Sequence, residues 1–150
     1  MRYPYLFLLL FLSNLVVFSQ EQKDSYWLYD FEQAKEISKE EDKPILMYFS
    51  GSDWCRPCMM LQEDVFDNYK FQKFKNAFVF LYIDIPRNTD LLSSDQKVQN
   101  FKLLSTYNKQ KTFPLINIVN HKGKILDDIS GYSSLRDTTY HFEMFEKYSR

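Results

Sequence analysis

The sequence predicts an α/β domain built on a mixed four-stranded sheet with helices on both faces. Three observations predict it. A continuous apolar run at residues 45–49 and mostly apolar runs at 77–83 and 115–119 fit buried strands. Segments with apolar residues at helical spacing separate those runs, and strands that alternate with helices pair in parallel through right-handed crossovers. Asn120-His121-Lys122-Gly123 then reads as a hairpin turn with Gly123 in the left-handed position, so residues 125–129 must return antiparallel.

The elements follow in order. Residues 1–19 are expected to be a secretory signal peptide: Arg2 precedes an apolar stretch at 5–12, Leu15-Val16-Val17-Phe18 resumes it, and Ser19 is small. The run is too short for a membrane span, which needs about 20 apolar residues. Cleavage would leave a flexible leader at 20–26, a single domain at 27–150, and a periplasmic or secreted product. About 130 residues suffice for one sizeable core. Arg2 is the only charge removed, so 18 basic residues face 20 acidic ones, and no basic stripe argues for nucleic acid or an anionic membrane. With 14 Phe and 11 Tyr, the core is expected to be filled by phenylalanine.

Asp30 can cap a helix through Phe31, Ala34, Ile37 and Ser38, which Pro44 ends. The strand at 45–49 leads through a loop to Pro57, which suits the first turn of a second helix with Met60, Leu61 and Val65 on its buried side. Asp67 is expected to cap a further helical piece with Tyr69, Phe71 and Phe74. After the strand at 77–83, residues 86–95 are polar and irregular. A helix with Val98, Phe101, Leu104 and Tyr107 follows, then the hairpin, a break at Gly131, and a closing helix at 135–148 with Phe142 and Phe145 inward.

The chemistry sits in Trp54-Cys55-Arg56-Pro57-Cys58, which holds both cysteines of the chain. At a helix start, the first sulfur lies near unpaired N–H groups and the positive end of the helix dipole. Such a site lowers a thiol pKa from about 8.5 to roughly 3.5–7.5. The second sulfur lies one turn on, close enough to resolve a mixed disulfide. A structural disulfide is the other option in an exported protein, but so small a loop gains least from closure.

These residues resemble the thioredoxin superfamily. The matching pieces are the strand at 45–49, the Trp54–Cys58 motif, the strand ending at Asp84, Thr112-Phe113-Pro114, the hairpin and Gly131. Lys43-Pro44-Ile45-Leu46 with Gly51-Ser52-Asp53-Trp54-Cys55 is similar to exported bacterial thioredoxin-like proteins of the Bacteroidetes type. The resemblance implies a thioredoxin fold, Cys55 as attacking thiol, Cys58 as resolving thiol, and a cis peptide bond at Pro114 beside an edge onto which substrate polypeptide pairs. It implies no cofactor beyond the redox-active disulfide, and no bound metal.

The departures from the family pattern matter as much. The family's buried aspartate, six residues before the first cysteine, falls on Phe49. Its lysine partner, four before the strand-ending aspartate, falls on Phe80. Resolution by Cys58 is therefore expected to be slow. Asp53 is expected to be exposed and to oppose a Cys55 thiolate. Arg56 either favours that thiolate or is screened by solvent. Trp54 either shields the sulfur and meets substrate or packs. Pro57 belongs to the motif's helix start, and Phe113 favours apolar substrate segments. Residues 86–95 are extra material, either a partner surface or a tolerated loop.

The expected function is an exported thiol–disulfide oxidoreductase acting on protein thiols and disulfides, with reduction favoured over oxidation. It would work with a membrane or periplasmic redox partner, without nucleic acid, and as a monomer. Two other classes stay open: a redox-silent binding or chaperone module of the same fold, and a Cu(I) site using both thiolates with Met59 and Met60. His121 and His141 are expected far from Cys55 and exposed, respectively.

Overall fold

The computed structural model describes residues 26–149; the signal peptide expected at 1–19 and nearly all of the leader lie outside the described residues. Five strands form one sheet, β1 (Trp27–Leu28), β2 (Ile45–Ser50), β3 (Val79–Asp84), β4 (Leu115–Val119) and β5 (Ile125–Ser130), in the order β1-β3-β2-β4-β5. β3 pairs in parallel with both β1 and β2, whereas β4 runs antiparallel to β2 and β5 antiparallel to β4. The sequence led us to expect four strands. The fifth, β1, has only two residues, too few for an alternating pattern to show, and exists because Trp27 and Leu28 find Phe80 and Leu81 in register.

Strand side chains alternate between faces, so β2 and β3 feed two cores. Leu46, Tyr48 and Phe80 share one face with Cys55, Cys58, Leu61, Phe71 and Phe145. Ile45, Met47, Phe49, Leu81 and Ile83 lie on the other, under α1 (Phe31–Glu40) and α3 (Ser94–Tyr107). The first core is filled by phenylalanine as expected: Phe66, Phe80 and Phe145 each meet Phe71 edge-on, with ring centroids 5.1–5.6 Å apart. Such aromatic pairs add about 0.5–1.5 kcal/mol each beyond area burial.

Helix boundaries follow local chemistry. The Asp30 carboxylate accepts from Gln33 N at 2.8 Å and Ser93 Oγ accepts from Gln96 N at 3.2 Å, fixing the starts of α1 and α3. In α3 the expected inward face is rotated: Val98 and Phe101 are exposed, whereas Asn100, Leu103 and Leu104 are buried. Polar anchors turn the helix. Asn100 Nδ2 donates to Asp84 O at 2.9 Å, and Gln99 accepts from Phe31 N and donates to Tyr29 O.

Three further expectations need correction. Asn68, not Asp67, caps the short 3₁₀ segment Tyr69–Phe74, and Tyr69 points into solvent while Phe71 and Phe74 are buried. The closing helix α4 (Thr139–Tyr148) starts four residues later than expected, because Arg136, at φ 54°, turns back to fork onto Asp64 and Glu63. His141 on α4 is buried rather than exposed. Its ring stands edge-on to Tyr132 at 5.5 Å, and its Nδ1 has no hydrogen-bond partner among the described residues.

Candidate active site

The motif stands at the C-terminal end of β2, where the backbone leaves the sheet through a tight turn. Trp54 N and Cys55 N both donate to Gly51 O, at 3.2 and 2.8 Å. Helix α2 (Arg56–Leu61) then begins with Cys55 as its N-cap residue and Pro57 in the first turn, where a missing N–H costs nothing. Cys55 and Cys58 form a disulfide. Cys58 N donates to Cys55 Sγ at 3.3 Å, so the first sulfur lies where the unpaired N–H groups of α2 point, as the spacing predicted. Both cysteines are only 2% exposed. α2 runs on through a π-helical turn, Gln62–Phe66, whose Asp64 accepts from Tyr132 Oη at 2.6 Å and from Arg136. That contact ties the active-site helix to the segment after β5.

The residues flanking the disulfide are fixed from several sides. Trp54 Nε1 donates to Ile85 O at 2.8 Å, and its ring meets Phe113 edge-on at 5.2 Å. Gly51 lies directly under the indole: a Cβ there would sit 2.3 Å from Trp54 Nε1, so only glycine fits. The Phe113–Pro114 peptide bond is cis, and Pro114 is buried at the head of β4. Arg56 is exposed beside Cys55. Trp54 and Phe113 thus pack against the cluster that holds both cysteines, while Arg56 and Pro57 lie between the two in the first turn of α2.

The replacement of the family's buried aspartate is corrected by the geometry. Phe49 packs with Met47, Leu81 and Ile83 on the face away from the cysteines. The residue under Cys58 is its neighbour Tyr48, whose hydroxyl donates to Cys58 O at 3.1 Å. The turn from Gly51 to Trp54 holds one residue more than a six-residue spacing assumes, which shifts the inward position to Tyr48. Burial raises the Tyr48 phenol well above its ordinary range, so it stays a donor. Phe80 does lie on the cysteine face, buried, as expected.

Asp53 is exposed as expected but is no free base. Its two carboxylate oxygens accept from Arg87 N and Asn88 N at 2.9 and 2.8 Å, which holds its pKa below the usual carboxylate range. Asp84, ending β3, accepts from Ser52 N and Oγ at 2.8 and 2.6 Å. Tyr48, Gly51 and Arg87 were missed from the sequence, although a tyrosine within a strand ahead of the motif was a visible signal.

Met59 is exposed whereas Met60 packs against the core, so the two thioethers diverge. His121 lies in the turn between β4 and β5. Among the described residues no group of three or more His, Cys, Asp or Glu side chains is placed to hold a metal ion, and no helix is long and apolar enough to cross a membrane.

Residues 26–120 match a family described as thioredoxin-like. The chain is 29% identical over 143 residues to thioredoxin-related protein DsbJ of Chlamydia pneumoniae, covering 89% of this chain and 40% of that protein. It is 30% identical over 97 residues to disulfide bond reductase DsbH of the same organism, covering 64% of this chain and 57% of that one. The chain therefore spans between two fifths and three fifths of these relatives. In structure it is similar to a DsbH oxidoreductase, with TM-score 0.66 and 24% identity over 82% of this chain and 86% of the other. It is also similar to a disulphide isomerase from Xylella fastidiosa, with TM-score 0.59 and 21% identity over 79% and 88%. Both are likenesses of fold.

Proposed function

The chain belongs to the thioredoxin-like family, and on that premise we propose that it is an exported thiol–disulfide oxidoreductase that reduces disulfides in proteins. The observation that carries the reading is the Cys55–Cys58 pair at the N-terminus of α2, with Sγ of Cys55 accepting from the Cys58 amide, in a cluster against which Trp54 and Phe113 pack.

In the reduced protein the Cys55 thiolate attacks one sulfur of a substrate disulfide. A mixed disulfide forms, and the second substrate sulfur leaves as a thiolate that takes a proton from water. The Cys58 thiolate then attacks Cys55 Sγ and expels the first substrate thiolate. Two electrons pass to the substrate, and the protein is left with the Cys55–Cys58 disulfide. The helix N-terminus stabilises the Cys55 thiolate. Arg56 adds a cation beside it. Cys58, buried with Tyr48 and Phe80, has its sulfur within bonding reach of Cys55 Sγ.

The direction of transfer rests on the kinship with a disulfide bond reductase, and export on residues 1–19, with a membrane or periplasmic redox protein as the electron donor. Insulin reduction with a thiol donor tests the activity, and equilibration of Cys55–Cys58 in glutathione buffers tests the direction. A potential near about −270 mV supports a reductant, whereas one near about −120 mV would make the protein an oxidant. A pair that cannot be titrated would leave a redox-silent binding module.

A further inference from the structure

The segment after β3 is fastened to the motif at each step. Ile85 N donates to Ser50 O at 2.8 Å, Ile85 O accepts from the Trp54 indole, and both oxygens of Asp53 hold the next amides, Arg87 N and Asn88 N. Pro86 is buried between them. The consequence falls on Arg87. Its guanidinium carbon lies 5.3 Å from the Trp54 ring centroid, a cation–π contact that sets the charge on the face of the side chain next to Cys55. Both Arg87 and Arg56 are exposed, and neither enters an ion pair among the described residues.

A bare cation held by backbone bonds of its own loop is a ready partner for an anion, because little ordering remains to be done on binding. The acids on the neighbouring segments have other partners: the oxygens of Asp53 are taken by the loop amides, those of Asp84 by Ser52 N and Oγ, and Asp90 pairs with Lys97. We propose that residues 85–88 form a wall of the substrate site and that Arg87 is a specificity-determining residue selecting disulfides flanked by acidic side chains. The inference rests on the exchange reaction proposed above and names the class of substrate it prefers. Residues 86–88 of the extra segment are then recognition surface rather than tolerated insertion.

The test uses the reduced full chain and two synthetic peptide disulfides that differ only in carrying Glu or Lys beside the cysteine. Each rate is divided by that peptide's rate with free dithiothreitol, which removes its intrinsic reactivity. We expect the glutamate peptide to be favoured by about two- to fivefold, the range of one solvent-exposed ion pair. Arg87→Ala should lower the ratio, Arg87→Glu should lower it further, and high salt should erase it. Because Arg87 is exposed, these variants retain the fold. A ratio unchanged in Arg87→Ala, or equal rates for both peptides in the wild type, overturns the inference while leaving the activity standing. A wild-type protein that reduces neither peptide overturns both.

Discussion

The hydroxyl of Tyr48 donates to the backbone carbonyl of Cys58 at 3.1 Å, joining β2 to the active-site helix beneath the resolving cysteine. The same carbonyl accepts from Gln62 N inside the helix, so Tyr48 is its second partner. Tyr48→Phe removes the bond and leaves the ring. We expect a loss of about 0.5–1.5 kcal/mol, the net worth of one hydrogen bond, read by urea unfolding of the oxidised protein. The buried phenol stays protonated across the working range, so the difference between the two proteins should not depend on pH between neutrality and mild alkali.

Gly51 is a packing constraint on Trp54. A Cβ at position 51 would stand 2.3 and 2.4 Å from two atoms of the indole. Gly51→Ala must therefore displace the ring and break its bond to Ile85 O. Overpacking of this kind costs about 1–3 kcal/mol. The expected outcome is a lower Tm together with faster exchange of the Trp54 indole proton by NMR. An unchanged indole signal would show that the ring does not rest on Gly51.

His141 gives the fold a pH dependence of known sign. Burial pushes its pKa from 6.5 down to about 4, while Asp137 pulls weakly the other way. The unfolded chain then binds a proton that the folded chain refuses between about pH 6.5 and 4. Stability from this group is complete above that window and falls as the pH drops through it, by on the order of 3 kcal/mol. His141→Phe, which can still pack on Tyr132, should flatten the slope of unfolding free energy across that window.

Much of the fold was legible in the sequence because its signals are local. The apolar runs of β2, β3 and β4 and the Gly123 turn each announce themselves within a few residues. The failures came where tertiary contacts override local pattern. Val98 and Phe101 have helical spacing, yet α3 turns them outward because Asn100 and Gln99 bind backbone groups of β3 and the segment before α1. At the site, the two cysteines and the residues around them were readable from the motif. Tyr48 was not, since one extra residue in the turn reverses which side of β2 faces the disulfide. Nor was the bond from Asp53 to residues 87 and 88, which spans more than thirty positions.

The two sulfurs predict a trap. Cys58→Ser leaves the attacking thiol at the helix N-terminus and removes the group that releases it. Mixed with a protein disulfide, the variant should accumulate a covalent adduct at Cys55, visible by mass spectrometry and cleared by dithiothreitol. Cys55→Ser should form no such adduct, because Cys58 lacks the N-cap position that stabilises the attacking thiolate. Adducts at Cys58 instead would reverse the order of attack.

The bond from Asp53 to the loop should persist to lower pH than an ordinary carboxylate would allow. Two backbone amides hold its carboxylate below the usual range, Asn88 N first and Arg87 N second. A carboxylate with a lowered folded pKa contributes fully above its unfolded value, near about 3.9, and is lost as the pH falls through the folded one. The amide protons of Arg87 and Asn88 should therefore hold constant NMR shifts from neutrality down through the ordinary carboxylate range and move together only below it. Asp53→Ala should abolish that titration and speed the exchange of both amides at neutral pH. A loop whose amides exchange at the same rate with and without Asp53 would be held by other contacts, with Trp54 Nε1 to Ile85 O the first to examine.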